Sequence, residues 1–232
     1  MMSSNAISVI GKLFFEPKAA FESLKENSKP WLPLALIMVS TLALFYWYYA
    51  TVDFSWLIDH TLSAKPDMKA EEREMVTKML TKDRMMITTL VGALIGMPVV
   101  FALYGLYFML ASKVMGSAIS YGKWFGFAVW VSVPTLIGAP LMALQIATGH
   151  GQVSLEGLNM LSLNFLIANL PADHAWAGLM NNLSLTTFWT MFLTFVGFRV
   201  WTGRSVASCA LATALPYVVI YGVWVAKLMF FK

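Results

Sequence analysis

Charge is what this sequence has least of: Asp, Glu, Lys and Arg make up 12% of 232 residues, against 59% apolar. So small a polar complement cannot cover a water-soluble globule of this length. With a mean hydropathy of +0.68, the bilayer becomes part of the solvent. A single cysteine, Cys209, excludes an intramolecular disulfide framework and any cysteine-based metal centre. The three histidines, His60, His150 and His174, stand apart in the sequence, each in a loop, and read as hydrated side chains. There is no P-loop, no GxGxxG after a strand and no HExxH. The sixteen basic residues lie between apolar runs and form no single patch, which sets nucleic acid aside as a partner. No catalytic residue, cofactor or metal is therefore expected. From Met1 to Pro30 there is also no early apolar core followed by a small-residue cleavage site, so the first hydrophobic run is expected to be a retained anchor.

What the sequence does have is long charge-poor stretches. About 20 apolar residues, each rising 1.5 Å, cross a hydrocarbon core of about 30 Å. Five stretches meet that length: Leu32 to Ala50, Ile87 to Ala111, Trp124 to Thr148, Leu183 to Trp201 and Val206 to Phe230. Aromatic residues such as Trp31, Trp47, Tyr121, Trp124 and Trp201 sit near their ends, as interfacial anchors do. The expected fold is all-α: a polytopic transmembrane bundle of five spans occupying residues 32–232, preceded by a cytoplasmic amphipathic segment, 1–31. In that segment Ala6, Val9, Ile10, Leu13 and Phe14, then Pro17, Ala20, Phe21 and Leu24, keep helical spacing. Both pieces are expected to lie on the membrane surface. The charged run from Pro66 to Arg84 predicts a solvated helix between the first two spans, with Glu74 and Lys78 as an i,i+4 pair. Residues 155–170, interrupted by Glu156, Asn159, Asn164 and Asn169 and followed by Pro171, predict an interfacial or re-entrant helix instead of a sixth crossing.

Orientation rests on Lys and Arg in the loops. With the N-terminus inside, the cytoplasmic side carries Lys12, Lys18, Lys25, Lys29, Lys113, Lys123, Arg199 and Arg204, and the opposite side carries as many. The long loop from Gly149 to Asn182, which has neither Lys nor Arg, breaks the tie in favour of a cytoplasmic N-terminus.

Within the spans, candidate sites are features of packing more than of chemistry. Gly92 and Gly96 form a GxxxG, with Pro98 soon after. Pro134 and Pro216 fall near mid-span, where the missing backbone donor must be compensated by a neighbour. A polar path could run along Ser132, Gln145 and Thr190, although such side chains also serve as interhelical hydrogen-bonding groups. Within the five spans up to Ala226, Arg199 at a span end is the sole acidic or basic side chain, and no buried charge marks an ion or proton pathway. The sixteen methionines are scattered and suit packing better than soft-metal binding.

Phe15 to Pro33, with Pro17, Phe21 and Pro33, then a first span, a polar loop helix and a Gly116 to Pro134 block containing Ser120, Trp130 and Ser132, together resemble the bacterial branch of the Yip-domain (Ypt-interacting protein) membrane proteins. The resemblance implies five transmembrane helices, a cytoplasmic N-terminus and a place in the bacterial cytoplasmic (inner) membrane. Eukaryotic members are similar to adaptors for small GTPases and carry an Asp-Leu-Tyr-Gly-Pro stretch that this sequence lacks, so no GTPase role is transferred. The leading functional expectation is a non-enzymatic scaffold or adaptor whose partners are the bilayer, other membrane proteins or a second copy. The alternative is a small-molecule or lipid transporter with a path between two proline-kinked hairpins.

Overall fold

The computed structural model describes residues 6–230. Among them helices are the only regular secondary structure, with one isolated bridge between Ser162 and Ser184. The helices are α1 (Ala6–Phe15), α2 (Pro17–Glu26), α3 (Trp31–Thr51), α4 (Phe54–Ser63), α5 (Ala70–Met79), α6 (Lys82–Val114), α7 (Tyr121–Val131), α8 (Gly138–Thr148), α9 (Ala177–Asn182), α10 (Leu185–Thr202) and α11 (Val206–Phe230). A 3₁₀ turn, Val133–Ile137, joins α7 to α8, and a π-helical turn covers Asn164–Ala168.

Among the described residues four helical segments are long and apolar enough to cross a membrane: Trp31–Thr51, Lys82–Val114, Tyr121–Thr148 and Val206–Phe230. They coincide with four of the five expected spans. The fifth expected span is helical as α10, but five threonines and Arg199 make it more polar than the other four. Its 18 residues still rise about 27 Å.

The chain divides into two compact units. The first comprises the described part of Met1–Ile37 with Met97–Thr135 and Thr187–Trp224. Its centre is aromatic: Phe21, Phe108, Trp124, Phe127, Phe198 and Trp201 are all buried, with neighbouring ring centroids such as Trp124–Trp201 and Phe127–Trp201 5.1 and 5.0 Å apart. Tilted and edge-on pairs at these distances favour the ring quadrupoles over face-to-face stacking. Small residues let the backbone close around this cluster. A Cβ on Gly105 would meet the Phe125 backbone at 2.9 Å, one on Gly197 would press into the rings of Phe21 and Phe127, and Gly126 lies against the Ser28 carbonyl.

The N-terminal segment is part of this unit. The apolar stripe of α2 is covered by protein: Ala20, Phe21 and Leu24 are buried. Indole Nε1 of Trp201 donates to the Phe21 carbonyl at 2.9 Å, Lys123 Nζ to the Lys25 carbonyl at 2.8 Å, and Trp130 Nε1 to the Lys29 carbonyl at 3.2 Å. Amphipathic spacing reveals an apolar face but not what covers it.

The second unit comprises Met38–Gly96, Leu136–Thr186 and the described part of Val225–Lys232. Tyr48, Tyr49, Val52, Leu57, Ile146 and Leu158 form its core. Tyr48 donates to the Val153 carbonyl at 2.8 Å, and Tyr49 pairs with Thr89 at 3.0 Å. Helix α4 follows α3 directly, N-capped by Asp53, whose carboxylate accepts the Trp56 N–H. The expected helix at 66–84 is confined to α5, since Lys82–Arg84 already belong to α6. No α-helix forms over 155–170. Asn164 makes side-chain hydrogen bonds to both the N–H and the carbonyl of Leu170, and Asn169 turns left-handed, so the backbone closes a loop where a helix would need to continue.

Candidate functional site

The proline and glycine positions behave differently from one another. Pro134 interrupts its span: α7 ends at Val131, and the chain resumes as α8 only after the 3₁₀ turn. Pro98 and Pro216 are accommodated inside continuous helices. At Pro216 the compensation is specific. The absent N–H would have bonded the carbonyl of Ala212, four residues earlier, and Tyr107 Oη donates to that carbonyl at 2.6 Å.

Tyr107 and Pro216 also line an apolar furrow of about 570 Å³, with Val100, Leu103, Tyr104, Leu215, Val219 and Ile220. These positions recur at helical spacing on α6 and α11, and nearly all the lining is hydrocarbon. In the second unit Gly92 and Gly96 have nothing within 4 Å of a built Cβ. The described chain does not use this GxxxG for its own packing. Its close approaches include those at Gly105, Gly126 and Gly197, glycines with no such spacing between them, visible only once segments from distant parts of the sequence are in contact.

The expected polar path is distributed over both units. Ser132 and Thr190 belong to the first, Gln145 to the second, and none of the three lines a cavity described in this section. Ser132 Oγ donates to the Ala128 carbonyl of its own helix at 2.9 Å. Thr190 Oγ1 is buried without a hydrogen-bond partner, as is Nε1 of neighbouring Trp189.

One histidine is not solitary. His60 Nε2 lies 2.6 Å from Glu156 Oε1, and the Trp56 ring stacks on the imidazole with centroids 5.1 Å apart. The two residues are 96 positions apart, so sequence spacing carried no sign of the pair. Burial pushes the Glu156 carboxyl up, but hydrogen bonds from His60, its own backbone N–H and Ser154, with the charge of His60, hold it below the usual carboxylate range. A cavity of about 320 Å³ opens beside the pair, walled in part by Asn164, Asn169 and Asn181 and in part by Phe165, Leu170 and Pro171. Among the described residues no group of three or more His, Cys, Asp or Glu side chains gathers as a metal site would require.

Long apolar helices, a hydrocarbon-lined furrow and glycines with open space over them define an all-α integral membrane protein. The family model of the Yip1 domain matches residues 11–227, and the chain belongs to that family. No curated protein and no solved structure matches it.

Proposed function

We propose that this Yip1-domain protein is a non-enzymatic scaffold of a bacterial inner membrane, holding other membrane proteins or a second copy of itself against its helix faces. The observation that carries the reading is the open space over Gly92 and Gly96. A GxxxG stripe permits close helix–helix approach, and here that approach is left for another chain. In this reading α10 is the fifth span and the N-terminus is cytoplasmic. All eight cations assigned to the cytoplasmic side fall in the first unit, whose only acidic residues are Glu16, Glu22 and Glu26. Such a bias fits the positive-inside rule.

Gly92→Ile and Gly96→Ile should abolish co-purification of partner chains in mild detergent while leaving the isolated protein folded. Unchanged association would defeat the scaffold reading. Reporter fusions after Ser63 and after Gly149 should both register the outer side.

A transporter remains the second reading, favoured by the unpartnered hydroxyl of Thr190. Single cysteines placed at Ser132 and Thr190 separate the two. A membrane-impermeant thiol reagent should leave both unlabelled in a packed scaffold, and labelling at both would favour transport.

A further inference from the structure

Two cations that enter no ion pair among the described residues border one loop of the first unit. Lys113 lies at the end of α6, directly after its apolar run. The chain that follows walls a cavity of about 480 Å³ lined by Met109, Lys113 and residues 116–120. Arg204, from the turn between α10 and α11, reaches this loop at Gly116. At Gly116, where φ is +77°, a built Cβ would sit 2.9 Å from the Arg204 guanidinium Nη2. Glycine therefore both permits the turn and makes room for the cation.

Among the described residues, neither the Lys113 nor the Arg204 side chain enters an ion pair. The glutamates of this unit all lie on the α1–α2 stretch, where Glu22 faces Lys18. The hydroxyl of Ser120 makes no capping bond, and it lines the cavity together with Ser117. Bringing like charges together is unfavourable unless an anion joins them. The Lys113 ammonium and the two serines of the lining, with the Arg204 guanidinium beside Gly116 at its edge, form a donor set suited to a tetrahedral oxyanion.

We infer that this cavity binds the phosphate group of an anionic phospholipid. Phosphate is the shared chemistry, and position favours the lipid as its source. Lys113 stands where an apolar helix of 33 residues runs out, at the depth of headgroups. Next to it Val114 is 90% exposed, an apolar surface that suits the acyl boundary. Basic residues flanking membrane spans on the cytoplasmic side are attracted to anionic lipids by about 1 kcal/mol each.

The test uses the full chain, purified in detergent and titrated with phosphatidylglycerol, phosphatidylcholine or inorganic phosphate, with bound lipid read by native mass spectrometry. Wild type should retain phosphatidylglycerol over phosphatidylcholine. Lys113→Gln and Arg204→Gln should each weaken that retention about fivefold, Arg204→Lys should weaken it less, and Lys18→Gln should leave it unchanged. Should a charge variant fail to fold, Ser117→Ala with Ser120→Ala probes the same cavity without altering charge and should also reduce retention. Equal binding of the two lipids, or full retention by both Gln variants, would overturn the inference. Displacement of phosphatidylglycerol by millimolar inorganic phosphate would assign the cavity to a soluble phosphate and overturn the lipid source.

Discussion

The hydroxyl of Tyr107 stands in for the backbone donor that Pro216 lacks, meeting the Ala212 carbonyl at 2.6 Å. A proline inside an apolar helix leaves a carbonyl that no water in the hydrocarbon can satisfy, and this tyrosine from α6 fills that role. Tyr107→Phe should lower stability by about 1 kcal/mol. In Pro216→Ala, where the helix supplies its own N–H, the same change should cost much less. A double-mutant cycle from thermal unfolding in detergent measures the difference, and additive effects would show that the two positions are uncoupled.

Glycines should divide by what surrounds them. Gly197→Ala and Gly126→Ala force a methyl group into Phe21 and Phe127, or against the Ser28 carbonyl. Each should destabilise by about 1–3 kcal/mol. Gly92→Ala meets open space and should be neutral or stabilising by up to about 1 kcal/mol, because alanine is the better helix former. Denaturation midpoints of the three variants in one detergent compare them directly.

The hydrogen bond from Trp201 to α2 invites a proteolytic test. Trp201→Phe keeps the ring among Trp124 and Phe127 but removes the indole donor to the Phe21 carbonyl. Loss of one buried hydrogen bond should cost about 1–2 kcal/mol and loosen α2. The expected result is faster tryptic cleavage at Lys18 and Lys25 than in wild type, with cleavage in α5 unchanged.

Acid should weaken the attachment of the 149–172 loop to α4. Because the folded Glu156 carboxyl is held below its ordinary range, its contribution to stability is complete above the unfolded carboxylate pKa. That contribution is lost as pH falls through the lower, folded value. Wild type should therefore lose protection from amide exchange around residues 156–170 on acidification. Glu156→Gln, with no charge to titrate, should start lower and show a flatter profile over the same range.

Most of the helical layout was already present in one dimension. Length, apolar content and the positions of charged residues place Leu32 to Ala50, Ile87 to Ala111, Trp124 to Thr148 and Val206 to Phe230 within a few residues of the observed helices, since a membrane span must satisfy its backbone internally over a set length. Helix α4 is not legible in the sequence because its 10 residues, half of them apolar, are too short a run to stand out beside the spans. The helix expected at 155–170 failed because asparagine side chains compete for backbone groups, a local choice that hydropathy does not register.

Pairing was decided only in three dimensions. A GxxxG at Gly92 and Gly96 identifies glycines that could admit a neighbour. It does not identify Gly105, Gly126 and Gly197 as the ones that do, because close approach belongs to two segments and spacing to one. By composition and period the sequence alone determined a membrane-embedded, all-helical chain. The tertiary structure decided that α2 is roofed by protein, that His60 meets Glu156, that Tyr107 answers Pro216, and that Arg204 reaches Gly116. Each of these relationships joins residues tens of positions apart or more, and their distance and geometry exist only after packing has brought them together.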